Sequence, residues 1–93
     1  MIDVDLCVFV VLRERQIGAF KKAVQIPEYL LSRGCELYHD WQSGVYWDCD
    51  DVRFDMTAGR VCVVLKDDCL DDETEAAESL AKWPQIGFDA VSD

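Results

Sequence analysis

The first residues of the chain alternate between apolar and polar side chains in the way that predicts a β-strand. In MIDVDLCVFVVLR, the even-numbered positions from 2 to 12 are apolar and share one face of an extended backbone. The opposite face begins with Asp3 and Asp5 and then becomes apolar. We therefore expect a strand whose second half is buried on both faces.

The period changes after about residue 16, and the new spacing predicts a helix. Apolar residues recur as on one helical face, at Ile17, Phe20, Ala23 and Val24. Pro27 either starts a second short turn or kinks this helix, and Gly34 is a plausible C-terminal stop.

Residues 35–66 predict an antiparallel meander of short strands, CELYHDW, VYWDC, VRFDM and VCVVLK, separated by turn residues. Val45 and Trp47 are odd-numbered, whereas Val52 and Phe54 are even-numbered, so one uninterrupted strand through 45–56 would put them on opposite faces. A turn or bulge near residues 49–51 removes this conflict. It places three acids, Asp48, Asp50 and Asp51, at an exposed corner.

A second helix is predicted after the acidic segment DDCLDDETE. Asp72 is the expected N-cap and Glu75 follows three residues later, as in a capping box. Pro84 is expected to end the helix. The inward face is predicted to hold Ala77, Leu80 and Ala81. After the helix, Ile86, Phe88 and Ala90 alternate as in a short terminal strand or a docking tail.

These elements predict an α+β fold in one globular domain, residues 1–93. The expected architecture is an antiparallel sheet of four to five strands with two helices, in the order β-α-β-β-β(-β)-α. No internal repeat, low-complexity tract or linker divides the chain.

The net charge of the chain limits its candidate functions more than its composition does. The formal net charge is −10, and residues 36–93 carry four basic and fifteen acidic side chains. A domain this acidic would be repelled by nucleic acid. The longest apolar run, residues 6–12, is too short to span a membrane, no basic segment precedes it, and five cysteines are an odd number. We expect a cytoplasmic protein with reduced cysteines.

Catalytic and metal sites have little support in the sequence. The one histidine, His39, lies about 13 Å from Cys35 if both are on one strand, which is too far for a nucleophile–base pair. The cysteines lack the close pairs of a zinc site, and DCDDVRFDMTAG has Val52 and Arg53 where a calcium loop needs a ligand and a glycine. No cofactor or metal is expected, although a Cys/His site assembled by the fold stays open.

Carboxylates and aromatic rings together suggest a surface that binds a basic protein. Such a surface could occupy the groove that another protein uses for nucleic acid, and aromatic side chains could anchor it. The alternative is a solvated acidic face with a purely solubilising role. The candidate partner-binding residues are Tyr38, Trp41, Asp48, Asp50, Asp51, Asp55, Asp67, Asp68, Asp71, Asp72, Glu73 and Glu75.

In its size, its charge and the segments YWDCDDVRFD and DDCLDDETE, the chain resembles small acidic inhibitors of bacteriophages and mobile elements, such as anti-CRISPR proteins and other DNA mimics. The resemblance implies a non-enzymatic inhibitor that binds a basic surface of a nucleic-acid-binding complex, such as a CRISPR–Cas effector, and blocks nucleic-acid binding or recruitment by stoichiometric occupancy. The segments IPEYLL and YWDCDD are similar to part of intracellular toxin-immunity proteins of the barstar kind, which is the first alternative. A small enzyme with a Cys/His site is the second.

Overall fold

The computed structural model describes residues 1–31, 36–40, 42 and 45–91. The chain forms two compact units. The first unit comprises Met1–Leu6 and Ala23–Lys66, and the second comprises Cys7–Lys22 and Asp67–Asp93. Gly34, Cys35 and Trp41, which the sequence interpretation used, lie outside the described residues.

The described residues form seven strands and one α-helix, with a 3₁₀ turn at Glu28–Leu30. The elements in chain order are β1 (Ile2–Leu12), β2 (Arg15–Ile26), β3 (Glu36–Asp40), β4 (Val45–Asp55), β5 (Arg60–Leu65), β6 (Asp68–Leu70), α1 (Glu73–Gln85) and β7 (Asp89–Ala90). Strands and a helix are both present, but the predicted architecture of two helices and four to five antiparallel strands is wrong. The pairing is mixed, because β6 runs parallel to β1.

In the first unit, β3, β4 and β5 form the predicted antiparallel meander, and β5 is followed across the sheet by β1 and β2. In the strand register, Tyr38 on β3 pairs with Tyr46 on β4, and Cys49 on β4 pairs with Leu65 on β5. The core of this unit consists of Val4, Leu6, Ile26, Cys49, Val63, Val64 and Leu65.

A β-bulge at Asp50 solves the parity conflict that the sequence shows in this region. Cys49 pairs with Leu65 and Asp51 pairs with Val64, so Asp50 is the extra residue on β4. The bulge was predicted, but the break of β4 into two strands was wrong, since β4 continues through it for 11 residues. The acids therefore lie along one strand and not at a turn.

In the second unit, β1 and β2 form a hairpin with β6 beside β1 and β7 beside β2. The core holds Val8, Val10 and Phe20 from the hairpin and Ala76, Trp83 and Phe88 from the C-terminal part. The rings of Trp83 and Phe88 meet edge to face, with centroids 4.9 Å apart. The expected terminal strand is confirmed, since β7 pairs with β2 at Phe20 and Lys21.

The helix predicted after residue 16 is wrong, because this segment is strand β2. Inward positions alternate along it, but one of them is Lys22, whose charge hides the period of two. Lys22 can lie there because its Nζ donates to the carbonyl oxygen of Ile86 at 3.2 Å. Gly18 is needed in β2 because the strand lies close to Leu80 of α1 at this position. A Cβ here would lie 2.7 Å from Cδ2 of Leu80, which is too close.

Helix α1 begins where the sequence predicted, and its buried face differs by one residue. The Asp72 carboxylate accepts from the backbone N–H of Thr74 at 2.6 Å and of Glu75 at 3.3 Å, which confirms the N-cap. The buried face holds Ala76, Ser79 and Trp83, whereas Ala77 and Ala81 are exposed. Pro84 lies within the last turn, and the helix ends one residue later at Gln85.

The turn of the β1–β2 hairpin offers a test of the fold. Its two residues, Arg13 and Glu14, have φ of 50° and 70°, the left-handed conformation of a type I′ turn that normally favours Asn-Gly. Glu14→Gly should raise the free energy of unfolding by about 0.5–1 kcal/mol, because glycine removes the left-handed strain and loses some of this gain through its unfolded-state entropy. Urea denaturation followed by tryptophan fluorescence measures the change. Glu14→Ala, which removes the same side chain but keeps a Cβ, should show no gain, and equal stabilities of the two variants would contradict this account.

Candidate functional site

The candidate acids on β4 fall into two groups that differ in their contacts. Asp48 and Asp50 are exposed, and neither carboxylate has a partner among the described residues. Asp51 accepts from its neighbouring N–H of Val52 at 2.8 Å and from Nε of Arg53 at 3.0 Å. The first two acids are therefore available to a partner, whereas the charge of Asp51 is already compensated.

Asp55 holds the turn that follows β4. One oxygen of its carboxylate accepts from the N–H groups of Thr57 and Ala58, at 2.9 and 3.1 Å. Its backbone carbonyl accepts from the N–H of Gly59, which has a φ of 67°. Asp55 therefore shapes the β4–β5 connection, and its charge remains at the surface.

The structure describes one of the two aromatic residues proposed as anchors. The backbone of Tyr38 lies in β3 opposite Tyr46, and Trp41 lies outside the described residues. Tyr46 itself is 48% exposed. Two apolar side chains that the sequence interpretation did not select are more exposed still: Phe54 at 62% and Met56 at 88%. The sequence offered no signal for them, since VRFDM reads as an ordinary half-buried strand.

A separate set of acids lies in the second unit, around the start of α1. Asp72 is the helix cap described above, and its neighbour Asp71 accepts from Nε of Arg13 only through its backbone carbonyl, at 2.8 Å. The exposed carboxylates without a partner among the described residues are Asp67, Asp71, Glu73, Glu75 and Glu78. Glu78 was not among the predicted site residues, although its place one turn after Glu75 could have indicated it.

Asp68 differs from its acidic neighbours because its carboxylate turns towards α1. Its Oδ2 accepts from Oγ of Ser79 and from Nε1 of Trp83, the latter at 3.0 Å. Nζ of Lys82 lies 3.5 Å from the same oxygen and 4.6 Å from the centre of the Trp83 ring. Three side chains from one helix face thus converge on one oxygen of the β6 aspartate.

This environment decides what Asp68 can do chemically. Burial raises the pKa of Asp68, but the hydrogen bonds from Ser79 and Trp83 and the charge of Lys82 outweigh it, so the pKa lies below its ordinary value. A carboxylate that is harder to protonate is a weak general base, and Ser79 is buried. The Asp68–Ser79 pair therefore has the character of a structural contact and not of an activated nucleophile.

An open groove of about 390 Å³ lies beside this cluster. It is lined by Asp68, Leu70, Glu75, Glu78, Ser79 and Lys82. The three carboxylates outnumber the single ammonium group, so the groove adds to the negative field around the start of α1.

A second internal ion pair, which the sequence interpretation missed, belongs to the first unit. Asp5 is buried on β1, and Nε of Arg60 on β5 lies 3.0 Å from its Oδ2. The hydrogen bond to Asp5 and its charge raise the pKa of Arg60. An aspartate on the polar face of a predicted strand gave no sign of burial, because its partner is 55 residues away in the sequence.

Within the part of the chain that the structure describes, no group of three or more His, Cys, Asp or Glu residues could hold a metal ion. The backbone of His39 lies in β3 and Cys35 is outside the described residues, so a Cys/His site is neither supported nor tested. Among the described helices, none combines the length and the apolar character that crossing a bilayer requires.

No protein-family model, curated protein or solved structure matches this chain. Function therefore has to be argued from the surface chemistry described above.

The Asp68 cluster yields a prediction on stability. Asp68→Ala should lower the free energy of unfolding by about 2–4 kcal/mol, because it removes the oxygen that accepts from both the hydroxyl of Ser79 and the indole N–H of Trp83. Asp68→Asn keeps an acceptor oxygen and should cost less. Chemical denaturation measures both values, and Asp67→Ala, at the exposed neighbour, is the control with an expected change within about 0.5 kcal/mol. Equal losses for Asp68→Ala and Asp67→Ala would show that the cluster does not hold the helix.

The lowered pKa of Asp68 also predicts a pH dependence. The ordinary pKa of an aspartate is 3.8, and the folded-state pKa of Asp68 lies below it, so the charged form stabilises the fold above pH 3.8. That contribution is lost as the pH falls through the folded-state pKa. The free energy of unfolding should therefore fall more steeply at acid pH for the wild type than for Asp68→Asn, as urea titrations at a series of pH values would show. Parallel pH profiles would contradict the assignment.

Proposed function

We propose that the protein is a non-enzymatic inhibitor of the anti-CRISPR or DNA-mimic type. It binds a basic surface of a nucleic-acid-binding protein complex in the bacterial cytoplasm and blocks nucleic-acid binding or recruitment by stoichiometric occupancy. A CRISPR–Cas effector is one candidate for that complex.

The observation that supports this proposal is that several exposed carboxylates have no partner among the residues that the structure describes. In the first unit these are Asp48 and Asp50 on β4, and in the second they surround the start of α1. Surface acids that only stabilise a fold are expected at caps, turns or ion pairs, as Asp72, Asp55 and Asp51 are. The remaining acids repel one another in the isolated protein and gain a favourable field only from a basic partner.

The spacing of these acids is compatible with a surface that otherwise binds phosphates. Asp48 and Asp50 lie two residues apart on β4, the second of them at the bulge. Glu75 and Glu78 lie one helical turn apart on α1. Lysine and arginine side chains arranged for a phosphate backbone could donate hydrogen bonds to either set of carboxylates.

In this mechanism the acids have two kinds of role. In the first unit Asp48 and Asp50, and in the second unit Asp67, Asp71, Glu73 and Glu75, are the acids that can contact a basic partner, and their long-range field accelerates the encounter. Asp51, Asp55, Asp68 and Asp72 keep the strand, the turn and the helix in the geometry that presents them. Inhibition follows from occupancy, so one molecule of inhibitor is needed for each molecule of target.

Charge reversal in each unit separately tests the proposal. One variant carries Asp48→Lys and Asp50→Lys, a second carries Glu73→Lys and Glu75→Lys, and a control with the same charge change carries Glu28→Lys and Asp89→Lys, which are exposed elsewhere. The immobilised wild type is used to capture its target from a nuclease-treated bacterial lysate that contains a CRISPR–Cas effector. The target is then eluted, bound to nucleic acid and titrated with each of the soluble proteins.

The wild type and the control should displace nucleic acid at near one-to-one stoichiometry, and at least one of the two site variants should fail while remaining folded. Association should also slow as salt rises, because the field is screened over about 8–10 Å at physiological ionic strength. Competition by both site variants as strong as that of the wild type would reject the acidic surface as the binding site. Inhibition at far below one-to-one would indicate an enzyme, and neutralisation of a toxin without any effect on nucleic-acid binding would indicate an immunity protein.

A further inference from the structure

The first residues of β4 expose an aromatic ring beside a carboxylate. Tyr46 is 48% exposed, and Asp48, two residues later, is exposed as well. The register with β3 is regular from Tyr46 to Asp48, so the two side chains lie on the same face of the sheet, with their backbones about 7 Å apart. Cys49, the next residue, is buried on the opposite face. We call Tyr46 and Asp48 the Tyr46 pair.

The backbone that carries the Tyr46 pair is held by both neighbouring strands. In the register with β3, Tyr46 pairs with Tyr38, and Asp48 pairs with Glu36. On the other side, the carbonyl oxygen of Asp48 accepts from the backbone N–H of Lys66, directly after β5, at 2.9 Å. A surface whose backbone is fixed in this way loses little conformational freedom when a partner binds to it.

The charges beside the Tyr46 pair are mainly negative. Asp50 follows Asp48 at the bulge, and neither carboxylate has a partner among the described residues. Lys66 lies opposite Asp48, but its exposed ammonium group forms no ion pair with any residue that the structure describes. Two carboxylates therefore share this part of the surface with one ammonium group, and a net negative charge remains beside the ring.

This arrangement favours a basic occupant over an apolar one. An apolar surface that covered Asp48 would remove water from its carboxylate and supply no hydrogen bond in return, which is strongly unfavourable. A second copy of the chain would bring a formal net charge of −10 towards the same carboxylates. A guanidinium group suits both members of the Tyr46 pair, because it donates two parallel hydrogen bonds to a carboxylate and stacks on an aromatic ring.

We infer that the Tyr46 pair binds an arginine side chain of the partner protein. The guanidinium group stacks on the ring of Tyr46 and donates hydrogen bonds to the carboxylate of Asp48. This inference rests on the proposed function and names the basic side chain that the β4 part of the acidic surface selects. Lysine is the weaker ligand, because its ammonium group is a strongly hydrated point charge without a planar face. The ring therefore adds a selectivity among basic partners that carboxylates alone do not provide.

A defined probe tests this chemistry without knowledge of the natural partner. The probe is a short fluorescent peptide of alternating glycine and arginine. It is compared with a glycine–lysine peptide and with a glycine–citrulline peptide, whose side chains have nearly the shape of arginine without its charge. Fluorescence anisotropy gives the dissociation constants for the wild type, Tyr46→Leu, Tyr46→Phe and Asp48→Asn.

The matched controls are Tyr29→Leu and Glu28→Gln in the same unit. Tyr29 is 79% exposed and Glu28 is exposed beside it in the chain. These two residues belong to the 3₁₀ turn, where consecutive side chains point in different directions, so they do not form a second ring–carboxylate pair. A urea titration of each variant verifies that it is folded.

The wild type should bind the arginine peptide more tightly than the lysine peptide, and the citrulline peptide most weakly. Tyr46→Leu should weaken binding of the arginine peptide about 2- to 5-fold, the range of an exposed cation–π contact. Tyr46→Phe, which keeps the ring, and Tyr29→Leu should bind it as the wild type does. Asp48→Asn should weaken its binding more than Glu28→Gln does, and this comparison is the test if Tyr46→Leu does not fold.

Equal affinities of Tyr46→Leu and the wild type for the arginine peptide would overturn the inference. Equal binding of the arginine and lysine peptides by the wild type, or an equal loss in Tyr29→Leu, would also overturn it. Self-association of the wild type that disappears in Tyr46→Leu would assign the surface to a second copy and reject an arginine of another protein. A natural target that is lost with the charge-reversal variants but bound at full affinity by Tyr46→Leu would reject this inference and leave the proposed function standing.

Discussion

The convergence of Ser79, Lys82 and Trp83 on one oxygen of Asp68 is the interaction on which the C-terminal half of the second unit depends. A partly buried carboxylate is destabilising unless donors replace the hydration that it loses. All three donors come from positions that one helix face presents, and the acceptor comes from the short strand β6. The contact therefore fixes the rotation of α1 about its axis. Once that rotation is fixed, Glu75 and Glu78 have to face solvent.

In the first unit, too, some acids stabilise the fold and others remain exposed at the surface. Asp5 is buried against Arg60, Asp51 is paired with Arg53, and Asp55 holds a turn. The bulge at Asp50 lets Cys49 and Val52 of β4, which pair with Leu65 and Val63 of β5, lie on the same face of the sheet, and the bulge residue itself is exposed. A net charge alone could not have separated these acids, because the separation depends on partners that are distant in the sequence.

Local patterns predicted the parts of this structure that local contacts determine. Strand β1 has an uninterrupted period of two, the Asp72 cap precedes its helix by one residue, and the bulge follows from the parity of Val45, Trp47, Val52 and Phe54. The failures occurred where a distant contact overrides local preference. Lys22 occupies an inward strand position because its Nζ donates a hydrogen bond to the Ile86 carbonyl, and Ser79 is buried on α1 because it donates to Asp68. Hydrophobicity would place neither residue inside, so β2 was predicted as a helix and the buried face of α1 was predicted one residue out of phase.

The candidate site was predictable only in its charge. The sequence indicated both acidic segments, but it could not show that Asp68 points inward or that Phe54 and Met56 point outward. An acidic surface alone attracts any basic protein and releases it readily as the salt concentration rises, because screened charges contribute little binding free energy. Apolar contact is not screened in this way and depends on the fit of the two surfaces. A binding surface that combines the two uses charge to select the class of partner and apolar contact to retain one member of it.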